Sequence, residues 1–533
     1  MKKYGFLYFI IISAFVAGIG FTSCGNDFLT AASPSSKPYG SDSVTEASVN
    51  QNLASCYHIL LRDNYASGYN QIYLMSDFCA DDIFKGGSDA GDQKNLTELA
   101  TFTCTPADNL GGLWALYYRG IARCNETLAN IEKLGGTGGK LPQYKAETLF
   151  LRAFFYTWLW KFWGNIPYTT ALLTASTNFT APQLTADEVY ANIYDDLKSA
   201  EATGGLQLTS PEIARTNLAA IYMLKAEIVM YQKDQSKYDE VADNMASIIA
   251  SGKYGLLSDF AAIWLQENEF CKESIFESNM GSTGISSSDW GPSAGNPYSD
   301  GTNLPIFIAP NGLVDPDGVF ETGGWGFGPV RPYLYSTIGD LPGYEGKQPF
   351  FETGDVRRAA SVTYWPLSTY SPRWQDTGYF LRKYAARKGY APEGNPSLSY
   401  CTNLRIYRFA ETLLNYAELV GAKGVSAKQG ITAQSCLDQV RSRAGLSSIS
   451  VSQANIELER HREFIGEGRR YWDLIRWGEA AQTLTERFLI VSPNGSTVDW
   501  NRTWADNKKY LPIPLDEVNA RLGTSYEIIQ NPY

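Results

Sequence analysis

The 533 residues contain only two histidines, His58 and His461. No H-E-x-x-H pair exists, and imidazole-based acid–base or metal chemistry has just these two candidates. His461 lies in a run of alternating charge, Glu457 to Glu463, which reads as a solvated or salt-bridged helix face. Basic excess is lacking too: 45 Lys and Arg against 56 Asp and Glu leave a net charge of −11, which argues against a nucleic-acid backbone as partner. The eight cysteines lack the C-x2-C spacing of zinc or redox sites. Apart from Cys24 they are scattered and odd in number, which is no disulfide framework, so burial as small hydrophobes is the expectation. Beyond the N-terminus no stretch is long and apolar enough to span a bilayer.

The N-terminus itself is organised. Lys2 and Lys3 precede an apolar run from Tyr4 to Ile19, and small residues lead to Cys24. This is the pattern of a secretory signal, residues 1–23, too short for a membrane-spanning helix. Thr22-Ser23-Cys24 resembles a lipobox, with Phe21 where Leu is usual. Acylation is therefore expected at Cys24, and several acyl chains there hold a protein firmly to a membrane. Residues 24–40 are rich in Ser, Pro and Gly and read as a flexible tether.

Helical periodicity dominates the body. From Glu147 to Trp163 the apolar residues Leu151, Phe154, Phe155, Trp158, Leu159 and Phe162 fall on one helix face, and Gly164 and Pro167 end it. Similar patterns cover Gly111–Leu134, Asp187–Ala202, Pro211–Tyr231 and Tyr238–Ser251. They return in Arg405–Val420, Gln434–Ala444 and Asn455–Gln482, the last interrupted at Gly466-Glu467-Gly468. Short breaks pair such helices antiparallel, yet no strict 34-residue period appears. The expected fold is mostly α: a tetratricopeptide-like helical-pair scaffold with a long loop-rich insertion carrying few short strands. The expected regions are an N-terminal helical part (41–280), a loop-rich aromatic part (281–400) and a C-terminal helical part (401–533) of one compact body.

Catalytic motifs are weak. Gly291-Pro292-Ser293-Ala294-Gly295 matches G-x-S-x-G, but lacks the strand before and the helix after that a nucleophile elbow needs. Asp315-Pro316-Asp317-Gly318 resembles a fragment of a calcium loop without its remaining ligands and reads as a turn. A glycosidase pair is undefined by sequence, since it depends on the spatial separation of two carboxylates. No catalytic residue, metal ligand or cofactor is assigned.

The positive signal is aromatic. In the insertion Trp290, Tyr298, Trp325, Phe327, Tyr333, Tyr335 and Tyr344 sit among Gly, Pro and Ser, with no periodicity that turns them inward. A ring face stacks on the C–H face of a sugar while neighbouring polar groups meet its hydroxyls. Trp290 and Trp325 are the leading expected platforms, and Tyr298 and Tyr333 lesser ones. The competing role is to pin long loops to the helical body.

The run ERHREFIGEGRRYWDLIRWG from Glu459 resembles the signature of the SusD/RagB family of Bacteroidetes outer-membrane lipoproteins. RAFFYTWLWKFWGNIPYTT from Arg152, RFAETLLNYAEL from Arg408, VRSRAGL from Val440, YLPIPLDEV from Tyr510 and the terminal QNPY extend the likeness in order. The resemblance implies a surface-exposed glycan-binding lipoprotein, lipid-anchored at the outer membrane, that delivers oligosaccharides to a SusC-like TonB-dependent transporter. It transfers no catalytic residue, and it implies ion pairs between helices for Arg460, Glu463, Arg469, Asp473 and Arg476. It also points to the loop-like stretch after the first helix, where Asp82 and Asn95 are the expected polar partners. Capture of peptides is an alternative within the family, and a surface glycosidase a third reading.

Overall fold

The computed structural model describes residues 44–61, 72–172, 177, 179–281, 301–335, 349–391 and 400–533. The chain divides into two units, Met1–Thr45 and Glu46–Tyr533. Only residues 44 and 45 of the first are described, so Cys24 lies outside the described residues and all that follows concerns the second.

The N-terminal half is helical: α1 (Glu46–Tyr57), α2 (Ile72–Cys79), α3 (Lys94–Thr101), α4 (Gly111–Lys133), α5 (Leu141–Trp163), α6 (Ala186–Ala202), α7 (Leu218–Gln232) and α8 (Tyr238–Ala250). The intervening segments are short. β1 (Ile166–Pro167) pairs with β2 (Gln183–Leu184), and β3 (Ser274–Ser278) follows α8. Two one-turn helices, α9 (Leu304–Ile308) and α10 (Arg357–Ser361), and the hairpin of β4 (Val362–Tyr364) with β5 (Tyr379–Leu381) are the regular elements of the loop-rich stretch. Then come β6 (Leu404–Arg408), α11 (Phe409–Gly421), α12 (Ala433–Arg443), α13 (Gln453–Phe464), α14 (Arg470–Trp477) and α15 (Ala480–Leu484). The hairpin β7 (Glu486–Val491) and β8 (Thr497–Arg502) and helix α16 (Leu515–Arg521) complete the chain.

Helix α5 is the axis. Periodicity predicts one apolar face, but 20 of its 23 residues are buried, so it is covered on all sides by α1, α4, α6 and α7. Its polar side chains survive there because each is paired: Glu147 with Arg215 and Tyr57, Arg152 with Asp196 and Asn125, Lys161 with Glu227. The terminal QNPY closes its end, since the Asn531 amide donates to the carbonyls of Trp163 and Leu511.

Two predicted boundaries shift for identifiable reasons. Helix α7 starts at Leu218, not Pro211, because Asn217 caps it by accepting from Ala220 N–H, while the preceding Thr216 N–H is drawn to the Tyr57 hydroxyl. The segment from Arg405 begins as strand β6, buried along its length and paired antiparallel with β3; only after Phe409 donates its N–H to Glu273 does the chain turn helical. The seven cysteines beyond Cys24, all among the described residues, form no disulfide, and five of them are buried.

Candidate functional site

The loop-rich stretch is anchored to the helical body by a backbone ladder. Residues 82–87, just after α2, run antiparallel to 326–331. Arg331 N–H donates to Asp82 O (2.9 Å), Phe84 N–H to Pro329 O (2.9 Å), Gly328 N–H to Lys85 O (3.0 Å) and Gly87 N–H to Gly326 O (2.9 Å). On its other side the 326–331 segment meets β5 through Val330 N–H to Tyr379 O (2.8 Å). Glycine is required at two points. Gly86 sits at φ +71°, where a Cβ would lie 2.3 Å from Gly326 O, and Gly324 at φ +150°, where it would lie 2.2 Å from Pro310 O.

The ladder positions the rings. Phe327 is buried and stacks on Phe307 at 4.0 Å and 16°, so it pins the loop rather than displaying a face. Trp325 is half-buried. Its N–H donates to Ile306 O (3.0 Å), and its ring lies edge-on to Phe307 (5.9 Å, 72°) and packs on a cluster of Ile306, Ala309, Ala386 and Tyr400. Behind the ladder Lys85 is buried between the rings of Phe327 (5.3 Å) and Trp374 (5.0 Å), and donates to the carbonyl of Asp89 (2.8 Å). Burial pulls its ammonium down to about 8, although Asp92 and Asp89 act to raise it. The exposed turn at 88–92 is self-bonded: Asp89 accepts from Gly91 and Asp92 N–H, and Asp92 from Ser88 N–H.

At the far end of the ladder, Tyr333 is half-buried, edge-on to Phe350, and its hydroxyl donates to Asp81 O (3.2 Å). Asp82 is wholly buried. One oxygen lies 2.5 Å from His461 Nε2 and 3.4 Å from the Tyr333 hydroxyl, so Asp82 fixes Tyr333 from behind instead of meeting solvent as expected of a polar partner. Asn95 is half-buried on α3. The fold thus brings Trp325, Tyr333 and Asp82 onto one ladder. Trp290 and Tyr298 lie outside the described residues, as does the G-x-S-x-G segment. Asp315 accepts from the N–H groups of Asp317, Val319 and Phe320, as a turn does. A separate cavity of about 500 Å³, lined by Tyr57, His58, Leu61, Ile213 and Arg215, contains none of the expected site residues.

The charged C-terminal run is interior. Every residue from Glu459 to Arg469 is buried, so its polarity marks a core and not a solvated face. Glu463 meets Arg357 (3.2 Å), Arg408 (3.1 Å) and Arg443 (2.5 Å). Burial pushes the Glu463 carboxyl up, but Arg443, Arg408 and Arg357 together hold it down at about 2. Asp473 bridges Arg460 and Arg476, Arg476 also forks Glu418, and Arg469 pairs with Glu411. These are the ion pairs the signature implies.

Known proteins are similar to this chain in sequence and fold. A family model described as the SusD family matches residues 355–533, and one described as "Starch-binding associating with outer membrane" matches 27–228. Surface glycan-binding protein A from Bacteroides fluxus is 47% identical, with a TM-score of 0.82 over 92% of this chain and 100% of that one. Surface glycan-binding protein A from Bacteroides thetaiotaomicron, solved in complex with laminarihexaose, is 35% identical, with a TM-score of 0.77 over 92% and 100%. SusD-like protein P38 of Formosa agariphila is 26% identical over 78% of this chain and 82% of its own length.

Proposed function

The chain belongs to the SusD family, and from that premise we propose that it captures a laminarin-type oligosaccharide at the cell surface and passes it to a SusC-like TonB-dependent transporter. The observation that carries this reading is the likeness, over 92% of the chain, to a surface glycan-binding protein holding laminarihexaose. Trp325 and Tyr333 are the described platforms, with Asn95 as a polar partner, and Trp290 and Tyr298, outside the described residues, are proposed as further ligand-binding rings. Their support is placement: half-buried rings at the two ends of one ladder strand, edge-on to the buried Phe307 and the half-buried Phe350. The protein binds and does not cleave in this reading, consistent with interior pairing of its charged signature residues. The division at 41–280, 281–400 and 401–533 serves it as two helical parts holding a ligand-reading insertion between them.

Cys24 is proposed as the acylated first residue of the mature protein, facing outward on the outer membrane. No described helix is long and apolar enough to cross a membrane, so Cys24→Ala should move the protein into the soluble fraction. Titration calorimetry of the purified protein with laminarihexaose should give saturable binding, with maltohexaose and cellohexaose as comparators. Absence of binding to laminarihexaose at millimolar concentration, by a protein that is folded, defeats the glycan assignment.

A further inference from the structure

At the end of the ladder, Asp81, Asp82 and His461 bring two carboxylates and one imidazole together, each offering a ligand atom within 4.8 Å of the others. The sequence gives no hint of this, since His461 is 379 residues from Asp82. Buried charges are ordinarily paired or bound to a metal. Asp82 is fully buried, one of its oxygens is taken by His461 and Tyr333, and its second oxygen, Oδ2, has no hydrogen-bond partner.

The nearby cations are committed elsewhere. Arg470 forks both oxygens of Asp81 (2.8 and 3.1 Å), while Arg331 and Arg502 both pair with Glu486. Among the described residues, no lysine or arginine lies at ion-pair distance from Asp82, and its one basic neighbour there is the imidazole of His461. Asp77, also buried, has a carboxyl that accepts from Gly468 N–H.

We propose that Asp81, Asp82 and His461 form a site for one divalent first-row transition ion of the zinc class. Bonds of roughly 2.0–2.2 Å in a tetrahedral site place ligand atoms about 3.3–3.5 Å apart, so an ion parts the His461–Asp82 contact, now 2.5 Å, while all three donor atoms already lie within 4.8 Å of one another. The imidazole selects against Ca²⁺ and Mg²⁺, which take oxygen ligands. A carboxylate has about four lone-pair positions, so Asp81 keeps capacity beyond the Arg470 fork. Arg470 and Tyr333 are then the outer partners that orient the ligating carboxylates. The ion ties α13 to the start of the 82–87 strand and to Tyr333, and so fixes the ladder's register.

Purified full-length protein, stripped with EDTA and titrated with Zn²⁺ against a chromogenic chelator, should take up one equivalent and gain thermal stability. Asp82→Asn, which keeps the shape of the side chain, and His461→Gln should each weaken uptake at least tenfold. Crystals soaked in Zn²⁺ should show an anomalous peak between the three side chains. Failure of wild type to take up Zn²⁺ or Mn²⁺ overturns the proposal and leaves His461 as a hydrogen-bond partner of Asp82 alone. Uptake that is equally tight in both folded variants, or a peak on the free cysteines, also overturns it. Glycan affinity measured beside these titrations tests a different claim, because the ion's presence and the ligand's identity are independent.

Discussion

The C-terminal signature and the aromatic ladder solve opposite problems. Around Glu463 the chain buries ions, with each charge meeting two or three partners, and all residues from 459 to 469 are sealed from water. The ladder has few ions and relies on glycine turns, backbone hydrogen bonds and edge-on rings, with Trp325 and Tyr333 half-exposed. An ion network of this kind tolerates little change, since removing one member strands the others in low dielectric. Rings on turns tolerate change more easily. The contrast separates a part that keeps the body in one shape from a part free to read ligands.

The strongest way to break the comparison is Glu463→Ala, which leaves Arg357, Arg408 and Arg443 short of a buried partner. It should cost about 3–5 kcal/mol of stability. Denaturant unfolding measures that loss, and any fraction that remains folded should keep its affinity for laminarihexaose. If affinity falls while stability holds, the signature reads ligands after all and the division of labour fails.

Trp325→Ala should show the reverse. Truncating a central ring costs about 1–3 kcal/mol of binding, seen by calorimetry as a roughly 5- to 150-fold weaker Kd. Because the ring also packs on Ile306 and Ala309, a smaller fall in Tm accompanies it. A variant that loses stability but binds normally makes Trp325 a staple like Phe327. Next in size is Gly86→Ala, whose new methyl collides with Gly326 O and whose φ of +71° strains an L residue. It should cost about 1–2 kcal/mol, read by thermal unfolding, and should disturb the 82–87 strand without touching the Glu463 network. Wild-type stability in this variant would mean that the two strands are not held in this register.

Much of the helical body is legible from pattern alone. Ala186–Ala202 begins at a Thr185–Glu188 capping box, and Tyr238–Ala250 matches its predicted span within a residue. Where the reading misleads, long-range contacts decide. Leu404–Arg408 carries a helical stripe yet becomes a strand because Ser274–Ser278 supplies a partner more than a hundred residues away. Glu459–Arg469 looks like a wet face because local sequence cannot reveal the arginines that arrive from 357, 408 and 443. Trp325 and Tyr333 stand out as rings in glycine-rich loops, whereas the partners behind them, Lys85, Trp374 and the Asp82–His461 contact, have no local signal. Their meeting depends on the ladder that joins residues 82–87 to 326–331.

The smallest expected effect is the pH dependence that Lys85 gives the ladder. Lys85 sits at about 8, below the ordinary lysine value near 10.4, because burial disfavours its charge. Between these values the unfolded chain holds a proton that the folded chain has released, so stability rises as pH increases from about 8 toward 10. Below pH 8 the folded protein carries the full cost of the buried ammonium. Lys85→Met removes this contribution, which the hydrogen bonds of the ammonium to the Asp89 and Asp92 carbonyls hold to about 1 kcal/mol. The variant should therefore be more stable than wild type at pH 7, with the gap closing by pH 10; guanidinium unfolding at both values measures it. Glu463 lies far below this window at about 2, with its stabilising effect present above the unfolded carboxylate pKa and lost as pH falls through 2. Lys383, bonded to the Glu463 carbonyl, is also pulled down to about 8 by burial, so the alkaline change is assigned to Lys85 by the difference between the variant and wild type. If Lys85→Met parallels wild type from pH 7 to 10, the lysine is charged throughout, and the aromatic cage around it is a cation site instead of a desolvated one.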